Sequence, residues 1–345
     1  MPPASSVSKR IPVFELARCA AAFGVIAIHC APYTPAAGAV VDFSLNFCVP
    51  FFLLTSLVFF CREVERTGDA AFALRRRVPR LLIPYAAWTV IYVAARCGKH
   101  ALAGGGMPEG LRSAGIPEII GAGAGAVHLY FLPLLALALL LARLLSPLLW
   151  RARPWHYAGL LLIGGAVLAR TPEWIPNGAP PSLGRLAERY LDWATWMLPV
   201  VVAAAAVSRW MARAGRKRRL GWLLLAGAIA LDAAVTARSV PYAWRLHSLV
   251  IAALVFGACA QGETAGASIP HWVEPVLRTS FGVFLSHHMI LEGVEFADRR
   301  MGGHLTQPYS FFSIFLVCLV VFALSAAFTL AMMRQRHLAH LLLGQ

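Results

Sequence analysis

Ten apolar runs, most of them near the length of a membrane-crossing helix, constrain this chain more than any other feature. They fall at 12–31, 43–61, 79–97, 127–146, 156–170, 190–208, 220–237, 244–260, 279–296 and 309–333, the fifth being the shortest. About 20 apolar residues cross about 30 Å of hydrocarbon as a helix. The expected fold is all-α: a polytopic membrane helix bundle of about ten transmembrane helices, with both termini cytoplasmic. Composition agrees, since 59% of residues are hydrophobic and 14% charged, against about a quarter charged in soluble domains. The first run has no A-x-A exit and leads into further spans, so it reads as a retained helix and not a cleaved signal. No Pro/Gly/Ser linker divides the chain, which is expected to form one domain over 1–345 with no soluble module.

The net charge of +15 raises the question of nucleic acid, and its distribution answers it. With alternating spans, twenty Lys and Arg residues fall on the cytoplasmic side and ten on the outer side, with Arg18 inside the first span. That bias is the positive-inside rule, so topology explains the basic balance and nucleic acid is not an expected partner. RKRR at 216–219 is a topology anchor that also suits anionic lipid. The seven cysteines lie in or beside apolar runs without CxxC or Cys/His metal spacing, which reads as small buried hydrophobes. No metal site is expected. Two outer loops stand out: 98–126, glycine-rich and expected to be flexible, and 171–189, rich in proline.

Within the first run, RCAAAFGVIAIHC places Arg18 and His29 eleven residues apart. Eleven residues are three helical turns, so the two share a face and stand about 16 Å apart along the axis. Glu15, three residues before Arg18, is placed to pair with it. Ionisable groups inside spans are costly and usually face the bundle interior or a wet cavity. A plainer reading has Arg18 snorkelling to the interface and His29 ending its helix. RRRVPRLLIPY at 75–85 puts Arg77 and Arg80 three apart at the start of the third span, a pair of guanidinium forks suited to phosphate. By charge alone, interfacial anchoring is the stronger reading of that pair.

Taken together, these stretches resemble acyltransferase family 3, the inner-membrane O-acyltransferases of bacterial surface glycans. Phe14-Glu15 followed by Arg18-x10-His29 resembles the family's opening motif, with Glu15 where the family usually has Asp. Arg77-Val78-Pro79-Arg80 followed by Pro84-Tyr85 is similar to its R-x-x-R segment. CVPFFLLTS at 48–56 resembles VPFFFxxSG, with Leu57 in place of the glycine. HLYFLPLLAL at 128–137 resembles HLWFL, and TSFGVFLSHHMI at 279–290 resembles S-[YF]-G-x-Y-L-x-H. The five segments occur in order across a core of about 10–335.

The resemblance implies transfer of an acyl group, expected to be acetyl, from cytoplasmic acyl-CoA to a hydroxyl of an extracytoplasmic polysaccharide or its lipid-linked precursor. Acetyl-CoA is the implied donor substrate, with no bound cofactor; glycan and membrane lipids are the other implied partners, and the bacterial inner membrane the location. By the same carry-over, Arg18, Arg77 and Arg80 bind the CoA phosphates and His29 is the catalytic base, with His287 supporting the tetrahedral intermediate or orienting the acceptor. Glu15, Asp42, His128 and Glu292 are supporting candidates; Asp42, at the outer start of the second span, also reads as a helix N-terminal acid. His287 also reads as a core histidine, and His288 is expected to point elsewhere as a structural residue. Ser286 is a poor nucleophile beside His287, because helix neighbours do not face each other. The competing function is a multi-spanning transporter or glycolipid flippase without acyl-transfer chemistry, which acyl-CoA dependence would separate. No paired broken helices of the transporter kind are apparent.

Overall fold

The computed structural model describes residues 12–30, 32–44, 47–102, 104–151, 182–213, 244–264, 270–271, 273–303, 305–306 and 308–345. The runs expected at 156–170 and 220–237 lie outside them. In chain order the helices are α1 (Pro12–His29), α2 (Pro35–Ser44), α3 (Cys48–Thr67), α4 (Ala70–Leu102), α5 (Glu109–Gly121) and α6 (Phe131–Arg151). They continue as α7 (Ser182–Arg213), α8 (Trp244–Thr264), α9 (Glu274–Leu277), α10 (Ser280–Arg300), α11 (Phe311–Met333) and α12 (Arg336–Leu343). The described residues contain no strand, and the protein is an all-α bundle. Residues within α4, α6, α7 and α11 form four helices long and apolar enough to cross a membrane.

The helix that carries Arg18 and His29 is the centre of this bundle. α1 packs against α3, α8, α10 and α11, and Ala21, Ala22, Val25, Ile26 and Ala27 are buried along it. Small residues let neighbouring helices approach closely, which is how helices associate where lipid offers no hydrophobic drive. The C-terminal end of α1 is fixed from outside. The Tyr33 hydroxyl lies 2.8 Å from Ala27 O and 2.7 Å from Ile28 O, reaching carbonyls of the last turn. Pairing of Tyr33 with Tyr309 then ties this end to the start of α11: Tyr309 N–H donates to Pro32 O at 2.9 Å and Thr34 N–H to Tyr309 O at 2.8 Å.

Several boundaries differ from the sequence expectation. α4 begins at Ala70 rather than near 79 and runs unbroken through Pro79 and Pro84. At 1.5 Å per residue its 33 residues span about 50 Å, more than a bilayer core. Residues 182–189, expected in a loop, open α7. The glycine-rich segment is also ordered in large part: 109–121 forms α5, kinked at Gly115 (φ 71°). Beyond it the chain makes a tight turn at Gly123 (φ 74°), where a Cβ would strike the backbone of Leu129 and Tyr130. Arg96 fixes that turn by donating from Nη1 to Gly125 O at 3.2 Å.

α10 and α11 pack tightly where Gly282 faces Thr329, and a Cβ on Gly282 would overlap the threonine side chain. The threonine cannot swing away freely, because its hydroxyl donates to Ser325 O at 2.7 Å. Gly282→Ala is expected to cost about 1–3 kcal/mol through overpacking. The Gly282→Ala, Thr329→Ala double variant should recover most of it, read as thermal unfolding in detergent.

Candidate functional site

Three separate parts of the chain deliver four imidazoles to one place. His29 ends α1, His128 stands in the turn before α6, and His287 and His288 sit about two turns into α10. Ring centroids of His29 lie 5.3 Å from His287, 5.5 Å from His288 and 6.2 Å from His128. His128 lies 4.8 Å from His287 and 5.6 Å from His288. His287 is 0% and His128 2% exposed, so both are enclosed. The Phe284 ring borders both, at 5.6 Å from His128 and 6.0 Å from His287, and Phe131 packs on Phe284 at 5.1 Å. The cluster therefore has an aromatic wall.

Helix carbonyls set the protonation of the two enclosed rings. His287 Nδ1 lies 2.6 Å from Phe284 O and 3.2 Å from Val283 O. A carbonyl only accepts, so Nδ1 carries the hydrogen and Nε2 carries the lone pair in the neutral ring. His128 has the opposite tautomer: Nε2–H donates to Leu285 O at 3.3 Å, leaving the lone pair on Nδ1. His287 Nε2 and His128 Nδ1 are buried and have no hydrogen-bond partner among the described residues. A buried acceptor left unpaired costs about 1–3 kcal/mol, and orphans of this kind concentrate where chemistry is done. His29 has no hydrogen bond to any described residue, which leaves both of its nitrogens uncommitted. The cluster can accept hydrogens from a hydroxyl, and among the described residues no carbonyl selects the tautomer of His29.

His288, expected to point elsewhere, belongs to the cluster. Its Nε2 lies 3.6 Å from Glu292 Oε1, and Glu292 Oε2 in turn accepts from Lys99 Nζ at 3.2 Å. Glu292 thus sits behind His288 and joins α10 to the end of α4. Ser286 donates its hydroxyl to Gly282 O at 2.9 Å and is fully buried, so it is a helix-packing residue. Asp42 is not at the start of the second long helix: it lies in the separate short helix α2, and its side chain is outside the described residues.

The arginines lie apart from the histidines and take different partners. Arg18 pairs with Glu15, Nη1 to Oε1 3.5 Å, on the shared face of α1. Along the same rigid helix it stands about 16 Å from His29. Arg77, expected to hold phosphate, is committed to α3. Its Nε donates to Glu63 Oε2 at 2.9 Å, Nη1 to Ser56 O at 3.4 Å, and Nη2 to Phe59 O at 3.1 Å and to Glu63 at 2.8 Å. Arg76 adds a second contact to Glu63, at 3.0 Å. Arg80 does not follow Arg77 into this contact; its side chain is exposed, and Gly344 at the end of α12 packs on its backbone. Glu63 was not legible as a partner, since nothing in CREVERT distinguishes it from the exposed Glu65.

A cleft of about 420 Å³ is lined by Arg96, Tyr130, Arg189, Asp192, Trp193 and residues of the turn that precedes His128. Its lining turn leads directly into His128, and Arg96 lies one helical turn beyond Tyr92, whose ring packs 5.1 Å from His128. Pockets of this size, with aromatic walls and a few convergent polar groups, are typical small-ligand sites.

Comparison with known proteins is decisive at the level of family. The family model described as "Acyltransferase domain" matches residues 11–334. The chain belongs to acyltransferase family 3. Together with the apolar bundle, this makes it a membrane acyltransferase. No curated protein and no solved structure matches it.

Arg77→Ala removes charge-assisted bonds that join α3 to α4 and is expected to lower stability by about 1.5–3 kcal/mol. Arg80→Ala should leave the unfolding temperature in detergent unchanged. Unfolding of the two variants side by side checks this division between a structural and an exposed arginine.

Proposed function

We propose that this membrane acyltransferase moves an acyl group, acetyl in the simplest case, from cytoplasmic acyl-CoA to a hydroxyl of an extracytoplasmic polysaccharide or its lipid-linked precursor. The observation that carries the reading is the histidine cluster at one end of α1 with Arg18 about 16 Å away toward the other. That separation is comparable to the reach of the extended pantetheine arm between CoA's phosphates and its thioester. On this reading the chain makes ten spans with both termini cytoplasmic, in the inner membrane of a bacterium.

Each group then has one task. Arg18 and Arg80 bind the CoA phosphates, and Arg77 holds α3 and α4 in the geometry that surrounds them. His29 takes the proton of the acceptor hydroxyl as its oxygen attacks the thioester carbonyl. The carbon–sulfur bond breaks, and the proton passes from His29 to the departing CoA sulfur, so the imidazole ends as it began. His287 carries its free lone pair on Nε2, which suits accepting from a second hydroxyl of the acceptor, beside the one His29 deprotonates, and not donating to an oxyanion. Of the two roles weighed for His287, orienting the acceptor is therefore the one its tautomer supports. The acceptor approaches through the cleft beside His128, where Trp193 and Tyr130 offer flat apolar surface to a sugar ring and Arg96 a hydrogen-bond donor.

The decisive experiment is mass spectrometry of surface and secreted glycans from a deletion strain carrying the wild-type protein or His29→Ala, at matched membrane levels. The wild type should add one acyl mass per modified residue and His29→Ala none. Full acylation by His29→Ala would overturn the assigned base. A second prediction concerns the cleft: Trp193→Ala should raise KM for the acceptor about tenfold, by analogy with stacking worth about 1–3 kcal/mol per ring. It should leave KM for acetyl-CoA unchanged, measured as CoA release against acceptor concentration.

A further inference from the structure

Tyr92 was absorbed by no motif, yet its hydroxyl enters the backbone of the helix that bears His287 and His288. Tyr92 Oη donates to Leu285 O at 2.9 Å and accepts from Met289 N–H at 3.2 Å. Leu285 O and Met289 N–H are four residues apart, the pair that bond to each other in a regular α-helix. The hydroxyl therefore sits in the ladder of α10 across the very turn that carries the two histidines. Inserted groups of this kind bend or open a helix locally. Leu285 O has a second task, because it is also the acceptor for His128 Nε2–H at 3.3 Å. A carbonyl oxygen has two lone pairs. Tyr92 O–H and His128 Nε2–H fill both, two donors that reach the carbonyl from outside α10, while the Met289 N–H goes to the Tyr92 oxygen.

The ring completes the arrangement. It stands edge-on to His128 with centroids 5.1 Å apart, tilted over His288 at 6.4 Å, and packs on Trp88 at 5.6 Å. Trp88 is anchored in turn by Nε1–H donating to Leu342 O at 3.0 Å. Tyr92 is itself buried at 3% exposure, so its hydroxyl has no bulk water to turn to. Its place is thus set from α4 and the C-terminal helix, and it passes that placement to the histidines.

We propose that Tyr92 is a positioning residue: its hydroxyl holds the Leu285 carbonyl for His128 and so keeps His128 in the Nε2–H tautomer, with the Nδ1 lone pair facing the cluster. The catalytic consequence rests on the acyl-transfer reading above; the tautomer does not. Without the hydroxyl, Leu285 O loses the donor that draws it out of the ladder and turns back along α10 toward Met289 N–H, and the 3.3 Å bond that selects the His128 tautomer lengthens. His128 then divides between its two tautomers, and the lone pair facing the cluster is lost for part of the time.

The test is Tyr92→Phe in the full-length protein, which keeps the ring and its packing and removes only the hydroxyl. Two readouts are taken at matched unfolding temperature. One is ring-nitrogen ¹⁵N NMR of histidine-labelled protein in lipid, with His128 assigned by its loss in His128→Gln. The other is CoA release from acetyl-CoA with a lipid-linked glycan extract as acceptor. The wild type should show His128 protonated on Nε2. Tyr92→Phe should shift it toward the Nδ1–H form and lower kcat on the order of 10- to 100-fold, the scale of a small misplacement, with KM for acetyl-CoA within about twofold. A wild-type His128 protonated on Nδ1 would sink the proposal without any variant. So would an unchanged tautomer in Tyr92→Phe, or an unchanged kcat with an altered tautomer. If the wild type releases no CoA from acetyl-CoA, the acyl-transfer reading fails, while the NMR comparison still decides whether Tyr92 sets the tautomer.

Discussion

A carbonyl oxygen inside a helix accepts hydrogen and never gives it, and the chemistry of this bundle depends on that asymmetry. Away from water, the ring nitrogens of a histidine find partners only in neighbouring side chains and backbone. Phe284 O takes the Nδ1–H of His287, and Leu285 O takes the Nε2–H of His128. The adjacent carbonyls of one helix thus select opposite tautomers in two rings whose centroids are 4.8 Å apart. The result is two lone pairs, one from each ring, without partners among the described residues. An unpaired buried acceptor is expensive, so the arrangement persists only because the surrounding helices over-determine it.

That over-determination is visible around α1. Five buried residues from Ala21 to Ala27 seat the helix among its neighbours, Tyr33 reaches its last carbonyls, and the Tyr33–Tyr309 bridge joins its end to α11. His29 is therefore held by the backbone that carries it and, among the described residues, by no hydrogen bond of its own. In the proposed mechanism His29 gains and loses a proton within each turnover, and a ring fixed through one nitrogen has only the other with which to do so. Position by packing leaves both nitrogens of His29 available. Glu63 serves the other end of the bundle differently, gathering Arg76 and Arg77 onto α3 through two carboxylate oxygens.

The all-α class and most of the long helices were legible because apolar runs of near-membrane length admit few other folds. Arg18, Glu15 and His29 were legible as a set because helical spacing fixes their shared face. What escaped was anything decided between helices. Arg77 and Arg80 share a spacing with many phosphate-binding pairs, yet a buried glutamate on α3 captures one and leaves the other exposed. His288 was set aside because it is about 100° around the helix from His287, but His29 lies across both positions, 5.3 Å from one and 5.5 Å from the other. The start of α4 was misplaced since its first turns carry no apolar run; contacts to α3 order them. Tyr92 did leave a trace. Tyr85, Trp88, Thr89 and Tyr92 recur at helical spacing and all are buried, a stripe that marks the inward face of α4. The hydroxyl's insertion into a partner helix leaves none.

α4 also joins the separate parts of the candidate site. Along one helix lie Arg77 bound to α3, Trp88 bound to the C-terminal helix, Tyr92 bound to α10, and Arg96 bound to the turn before His128. Each contact joins α4 to a different element of the site, and the helix between them is continuous for 33 residues. α1 provides a second rigid member, with Arg18 and His29 at a separation set by helical rise alone. Side-chain bonds tie α4 to its neighbours and the Tyr33 hydroxyl ties the end of α1, so each helix holds its own groups at a fixed spacing. Shifting a thioester by an ångström relative to an acceptor hydroxyl costs on the order of 100-fold in rate. Both partners of the proposed reaction would come from outside the protein, so this rigidity is what the bundle itself contributes to their encounter.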